Sequence, residues 1–246
     1  MKKNLLKWLP ILVMAAVCIG FVSCGDDDDA IEEIVEDKTV KLSTKDVTIY
    51  SDETYPLSAV NAKFYKTSDD FVAEVDANGV IKGKHVGRAK IVAYNETSSA
   101  TCNIYVNPRY NLYDTPILDW GASKSAIIKK ETHTNIDLKP MEDMVSYNYS
   151  KNGKTFLLIY SFKNDKLTYI AMTAPLSLYP NLADYLLERY YPIGTSNSDG
   201  DYMIMFGDAY TKDKLKTIVC MSKTIIGGKE LTYIEYMPNT LGGKNL

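Results

Sequence analysis

Polar and apolar positions divide the 246-residue chain into stretches of different period. Leu9 to Phe21 is thirteen residues of unbroken uncharged, apolar character behind Lys2, Lys3 and Lys7. From Gly25 to Thr39 nothing is periodic and charge dominates, which predicts an extended, solvated segment. Short alternating runs then follow one another from residue 40 to residue 107: "VKLS", "VTIY", "TYPLSAV", "VAEVDANGVIKG", "AKIVAY" and "ATCNIYV". Alternation turns one row of side chains toward a core and the other toward water, so these runs predict strands. Asn78-Gly79 can take the positive φ angles of a tight hairpin, and Gly83 and Gly87 punctuate a second turn. Several short strands at this spacing predict a small β-sandwich over 40–107.

Asn107-Pro108 ends that pattern, and "RYNLYDTP" crosses to a region different in kind, 110–246. Ser123 can cap a short helix, "KSAIIKKETH", with Ile127 and Ile128 on its inner side. A loop around Pro140 precedes three runs, "VSYNYS", "KTFLLIYSF" and "KLTYIAMTA", joined by turn sequences at 151–154 and 163–166. A second helix opens at Pro180, repeats Leu182, Tyr185, Leu186 and Tyr190 at helical spacing, and stops at Gly194. Three more runs finish the chain: "DYMIMFGDA", "KLKTIVCMSK" and "ELTYIEYM". The order helix, three strands, helix, three strands predicts an α+β domain. In it a duplicated α-β-β-β unit forms one antiparallel sheet with both helices on one face.

Charge changes the reading of the first 39 residues. Three lysines before a short apolar stretch are the plan of a secretory signal, residues 1–23. Thirteen residues of helix rise about 20 Å, short of the roughly 30 Å hydrocarbon core of a membrane. Removing the signal takes the formal charge from −3 to −6, with 25 basic groups left against 31 acidic. Eight of those acids, Asp26 to Asp29, Glu32, Glu33, Glu36 and Asp37, precede the first base, Lys38. Residues 24–39 are therefore an acidic tether, able to span up to about 50 Å when extended. An acidic chain without clustered Lys and Arg argues against nucleic acid as a partner.

The residues before Cys24, "FVSC", resemble a bacterial lipobox, with Phe21 where Leu is commoner. The resemblance implies cleavage before Cys24, a diacylglycerol on its thiol and acylation of the new amino terminus. Two or more chains hold a protein firmly in lipid, at roughly 0.8 kcal/mol per buried methylene. Cys24-Gly25 followed by four aspartates is similar to the export signal of surface lipoproteins in some Gram-negative gut anaerobes. It implies an outer-membrane, lipid-anchored, cell-surface location. Within 40–107, Tyr65, Thr67-Ser68-Asp69, Val72-Ala73-Glu74-Val75-Asp76, Gly79, Ile81-Lys82-Gly83 and Gly87-Arg88-Ala89-Lys90-Ile91 resemble the bacterial Ig-like group 2 domain, with Tyr65 in place of its usual Trp. Such domains imply a rigid extracellular spacer or an adhesion module. The plan of 110–246 resembles the tandem units of beta-lactamase-inhibitor-protein-like folds and the C-terminal domains of surface lipoproteins, and no functional residue carries over from it.

Candidate chemistry is sparse. His85 lies in a hairpin turn and His133 at a helix end, without partners at metal-ligand spacing, so both read as solvated and no metal is expected. Cys102 and Cys220 alternate with core residues and read as buried free thiols. "SNSDGD", with Asp199, Gly200 and Asp201, reads as a plain loop. No nucleophile–base motif, zinc helix or phosphate loop is present, so no enzyme and no cofactor are expected; a carboxylate-based glycan-active site is the residual alternative. Tyrosine is abundant: 19 in all, 14 of them from Tyr110 onward. Tyr179, Tyr190 and Tyr191, around the second helix, are the expected exposed ligand-binding cluster, and Trp120 is expected to plug the junction between the two regions. These features point to a surface lipoprotein that binds an extracellular glycan or protein ligand without catalysis. A periplasm-facing structural or assembly subunit of an outer-membrane complex is the alternative.

Overall fold

Alternation in the first region becomes real burial. In β2 (Asp46–Tyr50), Val47 and Ile49 point inward while Asp46, Thr48 and Tyr50 face water. The computed structural model describes residues 37–134, 143–198 and 201–239. The signal segment, Cys24, the tether up to Glu36, the loop around Pro140 and the pair Asp199-Gly200 lie outside the described residues.

Two short strands, β1 (Lys41–Leu42) and β4 (Ala59–Val60), pair with each other. Three more, β3 (Thr54–Pro56), β6 (Ala73–Val75) and β7 (Val80–Gly83), form an antiparallel sheet in the order β3-β7-β6. A second sheet has the order β2-β9-β8-β5, with β5 (Phe64–Thr67), β8 (Gly87–Tyr94) and β9 (Ser99–Asn107). Only β2 and β9 run parallel in it. Val47 and Ile49 from β2, Ile81 from β7, Ile91 from β8 and Cys102 and Ile104 from β9 share one core. The Asn78-Gly79 turn is closed by Asp76, whose carboxylate accepts the backbone N–H of Asn78 and of Val80 at 2.9 and 2.8 Å. Gly79 sits at φ 81°, where a Cβ would lie 2.8 Å from both the Leu57 carbonyl oxygen and the Tyr65 ring. The glycine therefore answers two demands, a left-handed turn and close approach of an aromatic ring.

The second region contains α1 (Lys124–Lys130), β10 (Met144–Lys151), β11 (Lys154–Lys163), β12 (Lys166–Pro175) and α2 (Tyr179–Leu187). After them come β13 (Tyr191–Ser198), β14 (Asp201–Gly207), β15 (Thr217–Ile226) and β16 (Lys229–Pro238). All seven strands form one antiparallel sheet, β10-β11-β12-β16-β15-β14-β13. Ile127 of α1 and Leu182, Tyr185 and Leu186 of α2 share a core with Phe156, Met172, Val219 and Ile234, so both helices cover the same face. Ser123 caps α1 by accepting the N–H of Ala126.

Three details correct the pattern reading. Four strands, not three, follow α2: "YPIGTSNS" is β13, an edge strand with a bulge between Pro192 and Gly194. An edge tolerates both breakers because its outer backbone groups owe no ladder bonds. The helix α2 ends at Leu187 instead of running to Gly194, and Ile128 is exposed while Ile127 alone is buried on α1. Trp120 does not plug the junction; it packs on the second core and donates to Thr217 Oγ1 at 3.0 Å.

The described residues from Lys38 onward form one compact unit, and a buried glutamate joins its two cores. The Glu188 carboxylate accepts the N–H of Arg109 at 2.7 Å and of Tyr110 at 3.1 Å, while its carbonyl accepts Val86 N–H from the first lobe at 2.7 Å. Arg189 beside it donates to the carbonyls of Tyr110 and Tyr185 and stacks 3.6 Å from the Tyr185 ring centroid. Glu188→Ala would remove the acceptor of two part-buried N–H groups and the carboxylate paired with Arg189, and should lower unfolding stability by about 2–4 kcal/mol. Urea titration measures this, and Glu188→Gln, which keeps an acceptor, should lose less.

Candidate functional site

The seven-stranded sheet has a second face that neither helix covers. Register aligns a row across it: Ile159, Ala171, Glu235, Cys220, Met205 and Gly194. The next row contains Met237, Ile218, Gly207 and Tyr191. Over these rows the 209–215 loop folds back, leaving a groove of about 1010 Å³ walled chiefly by Tyr169, Tyr191, Ile193, Met205, Ile218 and Met237. Gly207 leaves room for the loop's Leu215, whose Cδ1 would lie 2.5 Å from a Cβ at that position.

Polar groups in and beside the groove are few and internally engaged. Tyr169 donates to the Glu235 carboxylate and lies 2.9 Å from the Tyr233 hydroxyl. Burial, and then the Glu235 bond, push the Tyr169 phenol far above its usual range, so it remains a neutral donor. Burial pushes the Cys220 thiol up to about 11, helped by the Glu235 charge, which leaves it protonated and a poor nucleophile. Cys102 is likewise buried and free. The wall of the groove thus offers aliphatic, thioether and aromatic surface and almost no acid–base chemistry.

At one end an aromatic chain carries the groove wall across to the first lobe. Tyr191 and Tyr210 meet edge to face at 5.1 Å, Tyr210 meets Phe71 at 5.1 Å, and Phe71 stacks on His85 at 3.9 Å. His85 is not a solvated histidine: it is buried, and its Nδ1–H donates to the Phe71 carbonyl at 2.8 Å. Burial holds the imidazole below its ordinary value, an effect that the Phe71 bond only partly offsets.

His133 is not solvated either. Its ring stacks on Tyr149 at 3.9 Å, with Nε2 3.2 Å from Asp114 and Nδ1 at an ion-pair distance of 2.7 Å from Glu131, without hydrogen-bond alignment. Glu131 also accepts the Tyr160 hydroxyl at 2.6 Å, and Asp114 accepts Lys151 at 2.6 Å. With both ring nitrogens facing carboxylates, this cluster braces the chain leaving α1. Among the described residues, no group of three or more His, Cys, Asp or Glu side chains could hold a metal ion.

The three tyrosines expected to act together are separated. Tyr190 is a core residue, 6% exposed and edge to face with Tyr236, because it falls on the helix-covered side of the chain leaving α2. Tyr179 opens α2 and packs against the helix-side core with the Lys223 amine 5.1 Å from its ring centroid. Tyr191 alone faces the groove, and its neighbours there, Ile193, Met205, Leu215 and Met237, were not singled out from the sequence. The signal was present in "YMIMF", where Met203 and Met205 alternate with the core residues Ile204 and Phe206.

No protein-family model matches the sequence, and no curated protein is similar to it. Among solved structures, surface layer protein SbsC, domains 4–9, aligns with 80% of this chain at 12% identity and a TM-score of 0.24. The chain spans 26% of that structure's length, and a likeness at this level carries no argument.

The buried imidazole gives the lobe junction a pH dependence of definite sign. Because His85 is held below its usual 6.5 in the folded chain, its contribution is complete above about pH 6.5 and is lost as pH falls below that. Thermal stability should therefore fall between about pH 7 and about pH 5 more steeply than in His85→Gln. Parallel profiles for the two proteins would remove His85 from this role.

Proposed function

We propose that the chain is a lipid-anchored, non-catalytic binding module of the cell surface, held to the outer membrane through Cys24. The helix-free groove of the seven-stranded sheet serves as its recognition surface. The observation that carries this reading is a groove of about 1010 Å³ with a largely apolar wall, on a sheet face that neither of the two described helices covers. Contiguous exposed apolar surface on a folded body marks an interaction site more often than an accident of packing. Its lining favours apolar side chains of a protein ligand over a glycan, since sugar recognition needs a dense set of hydrogen-bonding groups beside the aromatic rings. On this reading the all-strand first lobe is the Ig-like group 2 spacer that the motif residues suggest. The buried Glu188 and His85 contacts make spacer and recognition lobe one rigid presenter.

A duplicated origin for the C-terminal lobe fits its topology. β10-β11-β12 and β14-β15-β16 are two antiparallel meanders, each preceded by a helix, and they meet along β12 and β16. In this view β13 is an addition to the second copy. It supplies Tyr191 and Ile193 to the groove.

Anchoring and recognition separate experimentally. Cys24→Ser should abolish incorporation of radiolabelled fatty acid, and protease applied to whole cells should remove the wild-type protein. Survival under shaving would favour the inward-facing assembly subunit instead. For recognition, residues 25–246 should capture a ligand on protein arrays, and Tyr191→Ala with Ile193→Asp should weaken capture at least about tenfold, whereas Ile128→Asp on the helix side should not. Capture by glycans alone, or equal effects of both substitutions, would overturn the assignment.

A further inference from the structure

The β15–β16 hairpin outruns its neighbours. β12 pairs with β16 only as far as Leu231, and β14 pairs with β15 only as far as Met221. The hairpin's own ladder continues through Thr224–Leu231 and Ile225–Glu230 to Ile226–Lys229. Residues 225–230 therefore stand beyond the shared rungs as a two-stranded ribbon, closed by Gly227 and Gly228 at φ 58° and 75°. At its tip Ile225 is 69% exposed and Ile226 50%. Consecutive strand residues face opposite ways, so the tip is apolar on both sides and cannot turn both isoleucines toward one core.

Polar chemistry rings this tip. Lys229 lies opposite Ile226, and Lys223 lies two residues back on the side of Ile225, its amine 5.1 Å from the Tyr179 ring centroid. Tyr202, at the start of β14, is half exposed. Glu230, opposite Ile225, is an acid in the same collar. Lys229 and Glu230 thus share the rungs of Ile226 and Ile225, while Lys223 lies farther from the turn. Exposed aliphatic groups ringed by lysines and aromatic rings have the composition of an interfacial contact with a bilayer, and the long stem of Lys229 lets its amine reach back to the headgroups while the isoleucines meet the acyl boundary.

We infer that this hairpin tip is a lipid-surface contact, inserting Ile225 and Ile226 between headgroups while Lys223 and Lys229 meet anionic phosphates. Withdrawing each isoleucine from water favours the bound state by about ten- to a hundredfold. Two such side chains give weak binding alone and firm apposition when the chain is already held at a membrane, where the local lipid concentration is high. Only this last step rests on the proposed anchor at Cys24.

The test uses unlipidated residues 25–246, so that its outcome is independent of acylation. Flotation with vesicles of phosphatidylethanolamine and phosphatidylglycerol should carry the protein upward. Ile225→Ser with Ile226→Ser should reduce the bound fraction at least about tenfold. Lys223→Gln with Lys229→Gln should weaken binding to these vesicles and leave binding to phosphatidylcholine vesicles unchanged. In a second measurement, Ile226→Trp should be quenched by brominated acyl chains. Failure of the wild-type chain to float, or equal flotation of the double isoleucine variant, would overturn the inference and reassign the tip to contact with a protein.

Discussion

The pairing of β12 with β16 is the contact on which the C-terminal lobe depends. Two meanders meet only where Ile170–Pro175 lies antiparallel to Leu231–Tyr236. Alternation along that seam sends Ile170, Met172 and Ala174, with Ile234 and Tyr236, under the helices. Ala171 and Thr173, with Tyr233 and Glu235, take the opposite side. A slip of one residue would exchange the two sets and expose the core. The seam therefore settles, in one step, what the helices cover and what remains open.

What remains open follows from size. The helices are 7 and 9 residues long, about 10 and 14 Å of rise. Seven strands at about 4.8 Å spacing make a sheet roughly 29 Å across. Two short helices can roof one face and have nothing left for the other. On that second face Ala171, Thr173, Cys220 and Ser222 are nevertheless buried, although neither of the two described helices covers them. The raised pKa of Cys220 is a direct consequence of this burial.

Much of this was legible in the sequence, and the exceptions have physical causes. Period-two runs located all but one of the long strands, because half-buried strands write their two faces into the sequence. β13 escaped because Pro192 and Gly194 read as breakers, and only its place at an edge makes them acceptable. Tyr190 and Tyr191 looked equivalent, yet a strand turns neighbours to opposite faces, so one entered the core and the other the groove. His85 looked solvated because its burial comes from Phe71 nearby in sequence and from Tyr210, 125 residues away. The groove was the least legible element, since it depends on register across five strands and on a loop lying over Gly207.

The pattern of protection on the sheet bears on how the open face should be read. An exposed edge strand invites pairing with other chains, and β13 carries two common defences, a proline and a bulge that interrupts the ladder. The adjoining face has no comparable defence. Among the described residues lining the groove the only charged side chain is Lys212, on the loop at its rim, while the wall presents Ile193, Met205, Ile218 and Met237. Indifference to stickiness would have left edge and face equally bare. On the proposed function, a chain that blocks strand addition at Pro192 and leaves apolar surface immediately beside it would confine contact to side-chain recognition on the face, where shape and register can discriminate among partners.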